Sequence, residues 1–261
     1  MAKPPVSLWQ SPWPERLCRT RSRLLLCLDY DGTLAPISAR PEDSRPTAAL
    51  LTLLSALIKR PNATVAIVSG RSLADLRALL PLPGLVYVGT HGCEVGTADG
   101  ETRLLVPGGV VSLAIARLRQ EIAPALVDAP GLILEDKRYA LALHYRLAQP
   151  QDTWAIDAFL AAVRAYQRKG ITLEVIHGKK VIEVRPVGSS KGKAVQFLLA
   201  GEHANTLPVY IGDDITDEEA FTVLGERGVT IIVADSTRSS AAQYYLHDTS
   251  DVLRFLSTLV H

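Results

Sequence analysis

The sequence predicts an α/β protein: an open parallel sheet with covering helices, interrupted by a smaller inserted α/β domain. Short apolar runs alternate with helical stretches early and late in the chain, as parallel βαβ units require. Between them the rhythm changes to helix, two strands, helix, two strands. Polar clusters stand at the ends of the apolar runs, where open sheets carry their chemistry.

Leu24 to Leu28 reads as a buried strand. Thr47 to Arg60 follows as a helix, with Pro46 just before it and apolar residues at helical spacing. Thr64 to Val68 is a second strand, Ser72 to Leu80 a helix and Leu85 to Val88 a third strand. The insert then begins with helix Val110 to Ile122 and a hairpin of Leu132 to Glu135 with Tyr139 to Tyr145. Helix Thr153 to Lys169 has Asp152 as N-cap and Gly170 as its stop, and a hairpin of Ile171 to Ile176 with Lys180 to Arg185 closes the insert. The parallel rhythm resumes with helix Lys191 to Leu199, strand Val209 to Ile211, helix Asp217 to Leu224 and strand Thr230 to Val233. A last helix, Asp251 to Leu259, takes Ser250 as N-cap. The organisation is an arm over 1–23, a core over 24–107 and 186–261, and an insert over 108–185.

With 261 residues, 48% of them hydrophobic, the chain can bury a large core and a smaller one. A formal net charge of +1 offers no attraction to nucleic acid or an anionic membrane, so any anion site is local. Cys18, Cys27 and Cys93 are odd in number and scattered, which argues against a disulfide framework or a zinc site and fits a reducing cytoplasm. No segment approaches a membrane span, and the first residues lack a signal peptide's apolar stretch. Residues 1–23 are proline-rich, carry Trp9 and Trp13, and end basic at Arg19 and Arg21; an arm packed across the domain surface is expected over a partner-binding peptide.

Read with period two, the strands of the insert have one apolar face for the helices, formed by Leu132, Leu134, Leu141, Leu143, Ile182 and Val184. The opposite face gathers Glu135, Lys137, His144, Arg146, Glu183 and Arg185, either as a solvated surface or, as we prefer, toward a hydroxyl-rich charged ligand.

The chemistry begins at Asp29-Tyr30-Asp31-Gly32-Thr33, two carboxylates one residue apart at a strand end, followed by a glycine for the turn. Such a pair divides phosphoryl transfer: Asp29 attacks phosphorus, and Asp31 protonates the leaving oxygen and then activates water. Ser69 offers a hydroxyl to phosphate, Gly70 lets backbone amides approach, and Arg71 serves either phosphate, sugar or structure. Lys191, opening a helix after Gly188-Ser189-Ser190, offsets the charge between Asp29 and phosphate, with Lys193 as its competitor. The carboxylates of Gly212-Asp213-Asp214 need a cation, and oxygen ligands beside phosphate point to Mg²⁺. Asp213 is expected to bind it directly, with Asp29 and the Asp31 carbonyl, and Asp214 directly or through water. Asp217 and Glu218 are read as favouring the next helix through its dipole.

In these motifs, taken in order, the chain resembles the haloacid dehalogenase superfamily of phosphohydrolases: Asp29 to Thr33, Ser69, Lys191 and Asp213-Asp214. The insert between the second and third motifs looks like that superfamily's α/β cap of the C2B type on a Rossmann-like core. More narrowly, the chain is similar to the trehalose-6-phosphate phosphatases. Gly89-Thr90-His91-Gly92, Glu135-Asp136-Lys137, His144-Tyr145-Arg146, Glu183-Val184-Arg185-Pro186 and Gly212 through Glu218 carry that likeness. Ser190 departs from it, since the family often has asparagine there. The resemblance implies Mg²⁺-dependent hydrolysis of trehalose 6-phosphate in trehalose biosynthesis, through an aspartyl-phosphate, by a cytoplasmic enzyme expected to be a monomer. It implies substrate contacts from Glu135, Lys137 and Glu183, and further ones from Arg71, His91, His144, Arg146 and Lys179. The alternatives are a phosphatase for sucrose 6-phosphate or mannosyl-3-phosphoglycerate, a phosphosugar mutase, and a non-catalytic sugar-phosphate-binding module.

Overall fold

The computed structural model describes residues 4–20, 22–38, 40–234 and 239–260; Arg21, at the basic end of the arm, lies outside them. In chain order the elements are β1 (Val6–Ser7), α1 (Trp13–Arg19), β2 (Leu24–Leu28), α2 (Ala48–Ile58), β3 (Ala63–Val68), α3 (Leu73–Leu79), β4 (Val86–Gly89), β5 (Glu94–Gly96) and β6 (Thr102–Leu104). Then come α4 (Gly108–Ile122), β7 (Ile133–Asp136), β8 (Leu141–His144), α5 (Thr153–Arg168), β9 (Leu173–Gly178) and β10 (Val181–Pro186). The chain ends with α6 (Lys191–Ala200), β11 (Leu207–Gly212), α7 (Glu218–Leu224), β12 (Val229–Val233), β13 (Tyr244–Leu246) and α8 (Thr249–Thr258).

Among the described residues a nine-stranded sheet runs in the order β1-β13-β12-β11-β2-β3-β4-β5-β6. From β1 through β4 every pairing is parallel, and β5 turns back antiparallel on β4. All five residues of β2 are buried, as a continuous apolar run at the middle of a two-sided sheet must be. The chain winds one way through β2, β3 and β4 and the other way through β11, β12 and β13. The order therefore reverses between β2 and β11, and the crevice beyond the carboxyl ends of strands at such a point is where open sheets hold ligands. Asp29 and Asp213 are the first residues beyond those two strands.

The arm packs on the domain as expected and does more. Val6 and Ser7 add a parallel strand beside β13, Leu8 and Leu17 are fully buried, and Trp9 and Trp13 pack partly buried on the same core. Arg60 ties the arm to the other end of the chain by donating to the carbonyls of Leu17 and Leu259 at 3.0 and 2.8 Å.

Two helix starts differ from expectation. The last helix is capped by Asp248, whose carboxylate accepts from the Asp251 amide at 2.8 Å, so Ser250 lies inside the helix. Asp152 does precede α5, but its carboxylate accepts from the Gln149 amide at 2.8 Å and so closes the preceding turn. Gly170 does end α5, at φ +83°.

The chain divides into two compact units, Met1–Arg103 with Ser190–His261, and Leu104–Ser189; the sequence reading put the transitions at 107/108 and 185/186. The second unit has its own antiparallel sheet, β7-β8-β10-β9. Its apolar face, with Leu132, Leu141, Leu143, Ile182 and Val184, forms one core with Ile115 and Leu118 of α4 and Phe159 and Val163 of α5. No helix among the described residues is long and apolar enough to cross a membrane.

Candidate active site

In the first unit, four strand ends converge. Gly32 turns the loop after β2 at φ +87°, and a Cβ there would lie 2.3 Å from an Asp213 carboxylate oxygen, so only glycine lets that carboxylate sit against the Asp29 loop. Carboxylate oxygens of Asp29, Asp213 and Asp217 lie within 4.8 Å of one another, all three residues buried. Lys191, buried at the first position of α6, donates to Asp29 Oδ1 and Asp217 Oδ1, both at 2.7 Å. Ser190 caps that helix by accepting from the Lys193 amide at 3.1 Å; Lys193 itself is exposed, which leaves Lys191 as the lysine of the site.

Burial raises the Asp29 carboxyl well above the usual carboxylate range; Lys191 pulls it down, while Asp217 and Asp213 push it up further. Burial alone would lower the Lys191 ammonium, but Asp217 and Asp29 outweigh it and raise it above its ordinary value. Two like charges about 4 Å apart repel by roughly 4 kcal/mol at an effective dielectric of about 20. Three buried carboxylates so close together therefore gain from positive charge placed among them. Asp29 and Asp213 supply hard oxygen donors of the kind a divalent cation takes. Asp217 is less suited to that task, because its Oδ1 accepts from Lys191 and Tyr210 and its Oδ2 from the amides of Asp213 and Asp214.

The side chain of Asp31 lies outside that cluster. Arg71 grips it through two bonds of 2.7 Å, donates also to the Pro41 carbonyl and lies over the Tyr30 ring. Arg71 is thus turned toward a carboxylate. The Asp214 carboxylate is likewise diverted, capping the turn at Ile215–Asp217 in place of joining the acidic cluster. Ser69, buried at the end of β3, accepts from the Arg71 amide at 3.2 Å, and its hydroxyl proton can still serve an anionic oxygen. His91 packs on Gly70: a Cβ on that glycine would lie 2.4 Å from the imidazole Nε2. Thr90 and His91 both hold left-handed backbone, at φ +49° and +51°. For a β-branched threonine that is a true outlier, and each such residue costs about 1–3 kcal/mol.

In the second unit, Glu135, Ala142 and Glu183 lie in one cross-strand row of β7, β8 and β10. The short side chains of Ala140 and Ala142 leave room for long neighbours to meet over the central strand. Lys137 donates to Glu183 at 2.6 Å and lies 3.8 Å from Glu135, which is bonded to His144 at 2.7 Å. Arg146 stands apart: β8 stops at His144, and the exposed guanidinium donates to the Lys179 carbonyl at 2.8 Å. Lys179 is exposed at the β9–β10 turn.

A family model described as trehalose-phosphatase matches residues 27–250. The chain belongs to the trehalose-phosphatase family. The trehalose-phosphate phosphatase of Mycobacterium marinum is 35% identical over 250 residues, 92% of this chain and 62% of that one. That of Mycobacterium tuberculosis is 36% identical over 247 residues, 88% of this chain and 60% of its own. The chain thus spans about three-fifths of the length of these curated relatives. The C-terminal domain of trehalose-6-phosphate phosphatase from C. albicans superposes with a TM-score of 0.84 at 26% identity, over 99% of this chain and 98% of that one. The fold is that of haloacid dehalogenase superfamily phosphatases.

Asp217 is the residue whose role the sequence least disclosed. It is fully buried and accepts four hydrogen bonds, so it does much more than favour a helix dipole. A Cβ on Gly212 would lie 2.2 Å from its carboxyl carbon, so the glycine before Asp213 makes room for it. The spacing of an acid four residues after Asp213 was its only trace in the sequence. Glu218 is also engaged, accepting from Ser240 Oγ at 2.8 Å and the Ala241 amide at 2.7 Å.

Proposed function

We propose that this chain hydrolyses trehalose 6-phosphate to trehalose and inorganic phosphate, a step of trehalose biosynthesis, with Mg²⁺ held at Asp29, Asp213 and the Asp31 carbonyl. The observation that carries this reading is Lys191 bridging Asp29 and Asp217 at 2.7 Å, at the sheet's switch point and buried with Ser69 and Asp213. A carboxylate so held is oriented to attack, and the lysine offsets repulsion from an incoming phosphate.

In this reading the Asp29 carboxylate forms a bond to phosphorus as the bond to the sugar oxygen breaks. Asp31 gives that oxygen its proton, then takes one from the water that cleaves the aspartyl-phosphate and frees Asp29. To do so Asp31 must turn from the Arg71 fork. Ser69 and Lys191 bind phosphoryl oxygens. When bound, Mg²⁺ supplies charge that keeps Asp29 ionised and draws electron density from the phosphoryl group. Asp214 lends its carboxylate to the turn and reaches the ion at most through water. The second unit acts as a cap, and Glu135, Lys137, His144 and Glu183 read the sugar hydroxyls; Arg146 and Lys179 form the edge of that face. The reading takes the chain as a cytoplasmic monomer.

Phosphate release from trehalose 6-phosphate, sucrose 6-phosphate and p-nitrophenyl phosphate, with Mg²⁺ and after chelation by EDTA, tests the proposal. Turnover of trehalose 6-phosphate with Mg²⁺ is expected to exceed that of the other two substrates and to vanish in EDTA. Preference for sucrose 6-phosphate reassigns the substrate, and full turnover without divalent cations overturns the mechanism.

A further inference from the structure

We infer that the turn Thr90–His91–Gly92 is a positioning device that sets Ser69 and Lys191 relative to each other, with the His91 imidazole as a roof over the phosphate loop. The inference rests on the phosphatase reading. It gives His91 a role in phosphate placement instead of the sugar contact that the resemblance implies.

The turn reaches both phosphate-handling elements. On one side the His91 amide donates to the Ser69 carbonyl at 3.0 Å and the Thr90 amide to the Arg71 carbonyl at 2.7 Å, one on each side of Gly70. The imidazole fills the space where Gly70 has no side chain. On the other side Gly92, at φ +94°, presses so closely on the first turn of α6 that a Cβ would lie 2.4 Å from the Ser190 carbonyl oxygen and 3.2 Å from the Ala194 methyl. Ser190 caps the helix that Lys191 opens.

Three consecutive residues, Thr90, His91 and Gly92, have positive φ, and two of them are not glycine. Such backbone persists only where the surroundings over-determine it, and it concentrates at functional sites. A loop built for connection alone would use glycine or asparagine there. Ser69 and Lys191 lie 122 positions apart in the chain (191 − 69), and this turn spans the gap between their elements.

His91→Gly and His91→Ala both remove the ring, but only glycine accepts the left-handed backbone without strain. Both variants are expected to lose about ten- to a hundred-fold in kcat/KM, equally on trehalose 6-phosphate and p-nitrophenyl phosphate, as expected for a displaced reacting group. Orthovanadate binding, measured by calorimetry, should weaken at least about ten-fold in both. His91→Gly should keep a thermal midpoint at or above that of His91→Ala, which separates loss of the roof from loss of the fold. A defect confined to trehalose 6-phosphate would return His91 to the sugar, and unchanged orthovanadate affinity in both variants would overturn the proposal. If the unaltered chain releases phosphate from neither substrate, the phosphatase reading fails, and the orthovanadate comparison still decides whether the turn positions an anion site.

Discussion

In the unit formed by Met1–Arg103 and Ser190–His261, three buried carboxylates, Asp29, Asp213 and Asp217, are gathered together, and the ammonium of Lys191 is bonded to Asp29 and Asp217. In the inserted unit, Glu183 is bonded to Lys137, and Glu135 lies between Lys137 and His144. The first cluster is rich in carboxylates and is drawn from segments far apart in the chain. The second mixes two carboxylates with an ammonium and an imidazole and is built from neighbours on one sheet. A pocket of closely spaced carboxylates suits a cation and a charge-shifting reaction, since added positive charge relieves their mutual repulsion. A mixed set of carboxylate acceptors with ammonium and imidazole groups suits neutral hydroxyl groups, which need hydrogen bonds and bring no net charge.

Breaking the acidic side has the largest expected effect. Asp29→Asn should lower phosphate release at least about a thousand-fold, because a nucleophile is lost outright; ordinary turnover in a pure preparation would end its assignment. Lys191→Met should destabilise the fold by about 3–5 kcal/mol, as removal of one partner from a buried ion pair does. Urea titration reads that loss, and adding Asp217→Asn should recover part of it; an unchanged midpoint in Lys191→Met would show that the carboxylates do not depend on this lysine.

In the inserted unit, Glu183→Gln should raise KM for trehalose 6-phosphate about ten-fold while sparing p-nitrophenyl phosphate, one charged hydrogen bond being worth about 1.5–3 kcal/mol. Equal losses on both substrates would remove the case for a sugar-reading face. The smallest effect is on acid stability. Burial raises the Glu135 carboxyl, yet Lys137 and the His144 hydrogen bond prevail, so its folded value lies below the ordinary 4.5. A carboxyl lowered by folding stabilises above its unfolded value and loses that contribution as pH falls through the folded one. Thermal midpoints followed from about pH 6 to about pH 3 should therefore fall less steeply for Glu135→Gln than for the parent chain. Parallel curves would mean that Glu135 is not held by its neighbours.

The comparison also explains what the sequence disclosed. The polar face of the insert was legible because strand periodicity places Glu135 and Glu183 on one side without knowledge of the fold, and Lys137, just past the end of β7, continues that alternation. Arg146 escaped that logic, since its strand ends at His144 and alternation no longer governs it. Asp29, Ser69 and Asp213 were legible because continuous apolar runs mark parallel strands and the chemistry follows them. Asp217 and the Arg71–Asp31 pair were not: their partners lie 26 and 40 positions away, and an acid near a helix start ordinarily means no more than a favourable dipole. Strands β5, β6 and β13 have three residues each, too few for a period to show.

The large sheet begins at its two-residue β1 and finishes at its three-residue β6, which exposes Thr102, Arg103 and Leu104 to water. Margins so brief, one of them bearing a cation, offer little unsatisfied backbone for a neighbouring molecule to extend. Edge-to-edge stacking into fibrils is thereby discouraged. Any lasting association between copies must instead be specified by side chains.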